Sequence, residues 1–348
     1  MATKSEKKLE QTNVPFVISP LYQLVLILIS FACISVALSE QVGIYHFLDP
    51  KPNMYTITPQ VYAEYGGFAS IINVGLEIGD FESFDVTNNS FTFNGVVWFK
   101  FTPGVISLDT LELFRFARGE ILKKSEPDIQ LIDEKILVRY LVKVKFTASL
   151  THTYFPLDDH RVYLMLTHQF VSIGEIVFES NVNDFMTKKN VASVGWNQLN
   201  QSVEAGYSQA QISLDDPRTT RTYPVVLFAI EYERYGIRHL LTILLPLLLI
   251  FYISFFSLSI SRSNVSLSLA AATAIISYRF VIDRMSPDVA YFMYSDYYFF
   301  LFLGGVLAVF LLTMANEYSH FLGKWAIKII IALIHAAVAG CIVYLFLS

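Results

Sequence analysis

The stretch Ser261–Pro287, SRSNVSLSLAAATAIISYRFVIDRMSP, decides how this chain is read. Plain apolar runs flank it, yet serines, alanines and a threonine recur along it, with an arginine near each end. On a helix, Arg262, Ser266, Ala270, Thr273, Ser277, Phe280 and Arg284 fall at intervals of four, four, three, four, three and four, which is one face. Leu267, Leu269, Ile275, Ile276, Val281 and Ile282 occupy the other sides. Such a stripe has two explanations. Small residues let neighbouring helices pack closely, or several copies of the helix line a water-filled pore. Arginines in register at both ends favour a face turned to water or a bundle interior, where intramembrane charges are found.

Working outward, four apolar stretches of near bilayer-spanning length succeed one another: Arg238–Ile260, Ser263–Ile282, Ala290–Met314 and Trp325–Leu347. Arg262 lies on the first linker and Lys324 and Lys328 on the third, which places those linkers in the cytoplasm. The Asp283–Asp288 linker and the domain upstream then lie outside the cell membrane. An earlier run, Leu21–Leu38, comes after Lys4, Lys7 and Lys8. It reads either as an export signal, with Ala37-Leu38-Ser39 at the cleavage point, or as an anchor helix. Either role exports the domain on its C-terminal side.

The composition agrees with this division. The 348 residues are 54% hydrophobic and only 16% charged, too apolar for an ordinary soluble chain, and the charges gather between Asp49 and Arg238. The net charge of −5 has no basic cluster behind it, which excludes a nucleic-acid partner. From Tyr55 to Tyr235 the period is two. FTFNGVVWFKF alternates Phe91, Phe93, Val97, Phe99 and Phe101 against Thr92, Asn94, Trp98 and Lys100, and VRYLVKVKFTASL alternates Tyr140, Val142, Val144 and Phe146 against Arg139, Leu141, Lys143 and Lys145. RVYLMLTHQF and YPVVLFAIEYERY add two more runs. Short alternating runs between turn signals predict an antiparallel β-sandwich, each sheet wet on one face. Cys33 and Cys341 lie in apolar runs and form no disulfide framework. No phosphate loop, nucleophile elbow or metal-ligand spacing is present, so neither enzyme nor cofactor is expected. His152, His160 and His168, eight apart, read as scattered surface or core residues rather than a metal site.

Several segments in order resemble the pentameric ligand-gated ion channels, the Cys-loop receptor superfamily, in a bacterial form without the loop cysteines. YFPLDDHRVYL resembles the family's signature loop. AIEYERYGIRHLLTILLPLLLIFYISFFSL is similar to the last extracellular strand running into a first membrane helix with a proline, here Pro246. RMSPDVAYFMYSDYYFF resembles the linker into the third membrane helix, VGLEIGDFESFDVTNNSFTFNGVVWFKF the first long strand, and Trp196 in VGWNQL stands where a late strand carries tryptophan. The resemblance runs from about Asn73 onward. It does not extend to the family's Trp-x-Pro-Asp segment, and the hairpin DDPRTTR lacks the aromatic residues that cage an amine ligand.

The apolar run makes residues 1–40 a signal or anchor, and 41–72 lie outside the resemblance as an added segment, while the resemblance implies 73–236 as the extracellular β-sandwich and 237–348 as a four-helix transmembrane pore domain. It implies a homopentamer in the cell membrane, in contact with lipids and permeant ions, and gated from outside by a small molecule or protons. Arg262, Ser266, Ala270, Thr273, Ser277, Phe280 and Arg284 would line the pore, with Arg262 favouring anions or, alternatively, anchoring in lipid headgroups. Arg279 falls off the stripe and pairs with Asp283. Asp158 and Arg234 match positions where the family sets a carboxylate against an arginine. With Phe155, Pro156, Pro287 and Tyr291 they would couple the β-domain to the pore. Arg115, Arg118 and Arg139 are candidates for ligand binding. The competing function is a non-conducting receptor or scaffold that retains the fold.

Overall fold

In a computed structural model of the protein, the described residues are 17–41, 44–188, 195–211, 215–216, 219–234, 238–260, 264–318 and 323–347. Helix α1 (Pro20–Gln41) and the short helix α2 (Pro59–Glu64) precede strands β1 (Ser70–Asp85) and β2 (Ser90–Phe101). Next come helix α3 (Leu108–Leu111) and strands β3 (Arg115–Phe116), β4 (Gly119–Lys124), β5 (Asp128–Ile132), β6 (Lys135–Thr147) and β7 (His160–Thr167). Strands β8 (Ile176–Glu179), β9 (Phe185–Thr187), β10 (Trp196–Gln211) and β11 (Thr220–Arg234) complete the β-rich part. Four helices end the chain: α4 (Arg238–Phe256), α5 (Asn264–Met285), α6 (Tyr294–Tyr318) and α7 (Lys324–Leu347). The chain divides into a β unit, His46–Thr151 with Asp158–Tyr235, and a helical unit, Met1–Tyr45 with His152–Leu157 and Gly236–Ser348.

The β unit contains two sheets. One runs β4-β6-β2-β1-β8, with β5 also on β6 and β9 on β1; the other runs β10-β11-β7-β3. The period-two pattern is realised in its strongest runs. Phe91, Phe93, Val97, Phe99 and Phe101 of β2 and Tyr140, Val142, Val144 and Phe146 of β6 are buried in one cluster with Val162, Leu164 and Leu166 of β7 and Phe228 and Ile230 of β11. Gly75 is required beside Trp98, because a Cβ there would lie 2.1 Å from the indole. Strand β11 departs from a one-sided sheet, since Thr222–Ile230 are all buried. Its sequence is a continuous apolar run there, as in strands covered on both faces.

Residues 46–55, set apart in the sequence as part of an added segment, belong to the β unit as an arm. Phe47 bridges to Asp159 and Tyr55 to Tyr207. Lys51 pairs with Glu204, and the Ser208 hydroxyl donates to the Asn53 carbonyl.

Among the described residues of the helical unit, five helices are long and apolar enough to cross a membrane: Pro20–Glu40, Arg238–Ser259, Asn264–Met285, Tyr294–Tyr318 and Lys324–Leu347. Leu247, Phe251 and Phe255 of α4 pack with Ile275 of α5, Phe302, Val306 and Val309 of α6, and Ile331 and Ile342 of α7. Gly305 admits the Phe251 ring, since a Cβ would meet it at 2.7 Å. The run read as signal or anchor is α1, which joins the same cluster through Ile34 and Ala37. Polar contacts hold it as well. The Tyr22 hydroxyl donates to the Lys328 carbonyl at 2.9 Å, and the Ser30 hydroxyl lies 3.2 Å from both the Tyr252 hydroxyl and His335 Nδ1.

Candidate functional site

Within the β unit, four segments distant in sequence converge on a buried ion network. The arm supplies Asp49, the loop entering β7 supplies Asp158 and Asp159 and the strand itself opens with His160, β10 opens with Trp196, and β11 ends with Arg234. Asp158 is 1% exposed and Arg234 13%. Arg234 Nη2 and Nε both donate to Asp158 Oδ1, at 2.8 and 3.0 Å, so the expected pair meets, though on one oxygen rather than two. The other oxygen, Oδ2, lies 2.9 Å from His160 Nε2. The Arg234 guanidinium stacks over Trp196 at 4.4 Å, which gives the cation an aromatic face where water is scarce.

His160 is sandwiched between acceptors. Its Nδ1 lies 3.3 Å from both oxygens of Asp49, while Nε2 faces Asp158. Carboxylates only accept, so both ring nitrogens donate and the ring is an imidazolium. Burial works against that charge, but the hydrogen bonds to Asp158 and Asp49 outweigh it, and the His160 pKa rises to about 9. Asp49 is itself anchored by the Thr151 and Arg161 backbone N–H groups, at 2.7 and 2.6 Å. Asp159 accepts from the backbone N–H of His46 on the arm and of Arg234, at 3.2 and 3.3 Å. Burial raises its pKa to about 6, against the effect of those two donors.

These shifts make stability depend on pH. Both groups bind protons more tightly in the folded state, so both contribute stability at low pH and lose it as pH rises. Asp159's contribution is complete below its ordinary value of 3.8 and lost through about 6; His160's is complete below 6.5 and lost through about 9. The His160 interval corresponds to roughly 3 kcal/mol. Thermal unfolding of the detergent-solubilised protein should therefore show stability falling between pH 6.5 and 9, and His160→Gln should flatten that slope. An identical slope in the variant would exclude His160 as its source.

In the helical unit, the loop His152–Leu157 seats on the linker between α5 and α6. The His152 backbone N–H donates to the Tyr291 hydroxyl at 2.8 Å, and Tyr294 and Ser295 donate to the Thr153 and Phe155 carbonyls at 3.0 Å. Phe155, which precedes Pro156, is buried, as is Pro287, and Tyr154 packs on Tyr294. Of the residues expected to couple, then, Phe155 and Pro156 gather with Tyr291 in one unit and Asp158 with Arg234 in the other.

On α5 the stripe Ser266, Ala270, Thr273, Ser277, Phe280 and Arg284 is exposed along its whole length, while Ser268, Ala271, Ala272, Ile275 and Ile282 are buried against the unit. The Thr273 hydroxyl donates to the Leu269 carbonyl at 3.0 Å. Arg262 lies outside the described residues. Arg279 pairs with Asp283 at 2.9 Å, as its spacing suggests, and also with Asp296 at the start of α6. That second carboxylate was not legible from helical spacing, because it comes from the next helix.

The three candidate ligand arginines are not brought together. Arg115 of β3 lies over Phe170, Arg139 of β6 pairs with Asp128 of β5, and Arg118, in the turn between β3 and β4, lines a separate cleft. His152, His160 and His168 are all buried, with His168 Nε2 2.8 Å from the Thr110 carbonyl. Sequence reasoning missed Asp49, Asp159, His160 and Trp196 as members of one network; the adjacent acids and histidine of DDH were the available signal. Residues 212–214 and 217–218 of the late hairpin lie outside the described residues. The chain matches no protein-family model and no curated protein.

Proposed function

We propose that the protein is a subunit of an ion channel, a homopentamer in the cell membrane with five copies of α5 around the pore. The observation that carries this reading is the exposed stripe on α5. A membrane helix that turns serines and an arginine outward has no match in hydrocarbon, where hydroxyls need partners and charges need water. Symmetric copies provide both. Ser266, Thr273 and Ser277 would then contact partly hydrated ions, Ala270 would keep the bore open, and a ring of Phe280 would narrow its outer half. Arg262 and Arg284 would stand at the two mouths and favour anions.

On this reading the β unit is an extracellular or periplasmic β-sandwich, α4–α7 form the transmembrane domain, and α1 is an additional membrane helix beside them. The resemblance in YFPLDDHRVYL and its neighbours supports the same assignment. The Asp158–Arg234 pair would keep the base of the β-domain stiff, and Pro287 and Tyr291 would move when the channel gates. The gating stimulus would act on the β-domain.

Mass measurement in detergent should give a pentamer, and planar-bilayer recordings should give discrete currents. A monomer or dimer as the sole species would reject the assembly. A pentamer silent across pH and small-ligand screens would instead favour the non-conducting receptor.

A further inference from the structure

The arm does more than join the β unit, because it closes one wall of a cleft. Pro50–Asn53 faces the β3–β4 turn at Arg118, the end of β6 at Ser149, and the outward side chains Arg161 and Tyr163 of β7, enclosing about 440 Å³. That volume suits a small ligand. Three cations line it. Lys51 pairs with Glu204 and Arg161 with Glu231, whereas Arg118 has no ion pair among the described residues. The cleft therefore carries one uncompensated positive charge.

Arg118 also adopts a backbone conformation that glycine takes readily and arginine rarely, φ +56°. The turn is clamped on both sides of it, by Ala117 N–H donating to the Met165 carbonyl at 2.8 Å and Thr147 N–H donating to the Arg118 carbonyl at 3.1 Å. The strained backbone sets a charged side chain on the cleft wall, an outlier that motivates a role for it.

We propose that this cleft binds a small organic monocarboxylate, with Arg118 as its counter-ion. One negative charge balances the site, where a phosphate would exceed it. Pro50, Pro52 and Met165 offer apolar contact to an organic body that an inorganic anion lacks. The proposal does not depend on channel activity, since it concerns one β unit and its readout is binding.

Calorimetric titration of the full chain in detergent with propionate, at constant ionic strength, tests it. Saturable binding with Kd of about 1 mM or tighter is expected, weakened at least about tenfold in Arg118→Gly and unchanged in Lys145→Gln. Arg118→Gly relieves the backbone, so the variant should fold with an undiminished Tm. No saturation by wild-type protein, equal affinity in Arg118→Gly, or tighter binding of phosphate than of propionate would each overturn the proposal.

Discussion

Replacing Arg234 with alanine should destabilise the β unit by less than the ~3–5 kcal/mol of a fully uncompensated buried charge, because Asp158 loses one cationic partner but keeps His160. Asp158 is 1% exposed and engaged on both oxygens, by Arg234 on one and His160 on the other. Asp158→Ala should be comparably severe, since it strands Arg234 and removes one of the two acceptors of His160. The double variant should be less damaging than the two single losses together, as expected for groups in direct contact. Denaturant unfolding of the three variants measures this directly, and additive losses would show that the pair acts as two independent residues. In bilayer recordings the single variants should also lose gating, and a normally gated Arg234→Ala would remove the pair from the coupling path.

The second large effect belongs to the proposed pore. Arg262→Glu should move the reversal potential in a salt gradient from the chloride side toward the cation side. By sequence spacing Arg262 continues the Ser266–Ala270–Thr273 register, so in the proposed pentamer five guanidinium groups would converge at one mouth. Two unit charges about 8 Å apart at an effective dielectric near 20 interact by roughly 2 kcal/mol, and a ring multiplies that. The sequence places no carboxylate within a helical turn of Arg262, but the fold brings one close to this end of α5. Glu317 of α6 accepts from Asn264 Nδ2 at 2.8 Å. Glu317→Gln should therefore strengthen anion preference while Arg262→Glu reverses it. A wild-type reversal potential at the cation equilibrium value would assign Arg262 to the lipid headgroups instead.

The two predictions rest on parts of the molecule that were unequally visible in the sequence. The apolar helices were legible because a run near twenty residues has little else to be; Trp325–Leu347 differs from α7 by one residue. Helix α5 extends to Met285 rather than stopping at Ile282, because Asp283 and Arg284 continue the helix beyond its apolar part. The buried faces of β2 and β6 were legible through strict alternation. Asp158 and Arg234 were paired only through a resemblance. Nothing local marks Asp49, more than a hundred residues before its partner His160, or the turn conformation of Arg118. Ion networks are assembled by tertiary contacts, and period and composition carry no record of them.

The contact of Ser30 with Tyr252 and His335 has a consequence for biogenesis. Some 305 residues separate Ser30 from His335. On the proposed membrane topology, α1 is made before the β unit and three further long helices, so its serine meets that histidine only late in synthesis. A chain truncated before α7 would thus hold α1 without its His335 contact, and α1 should be more accessible to protease there than in the full chain.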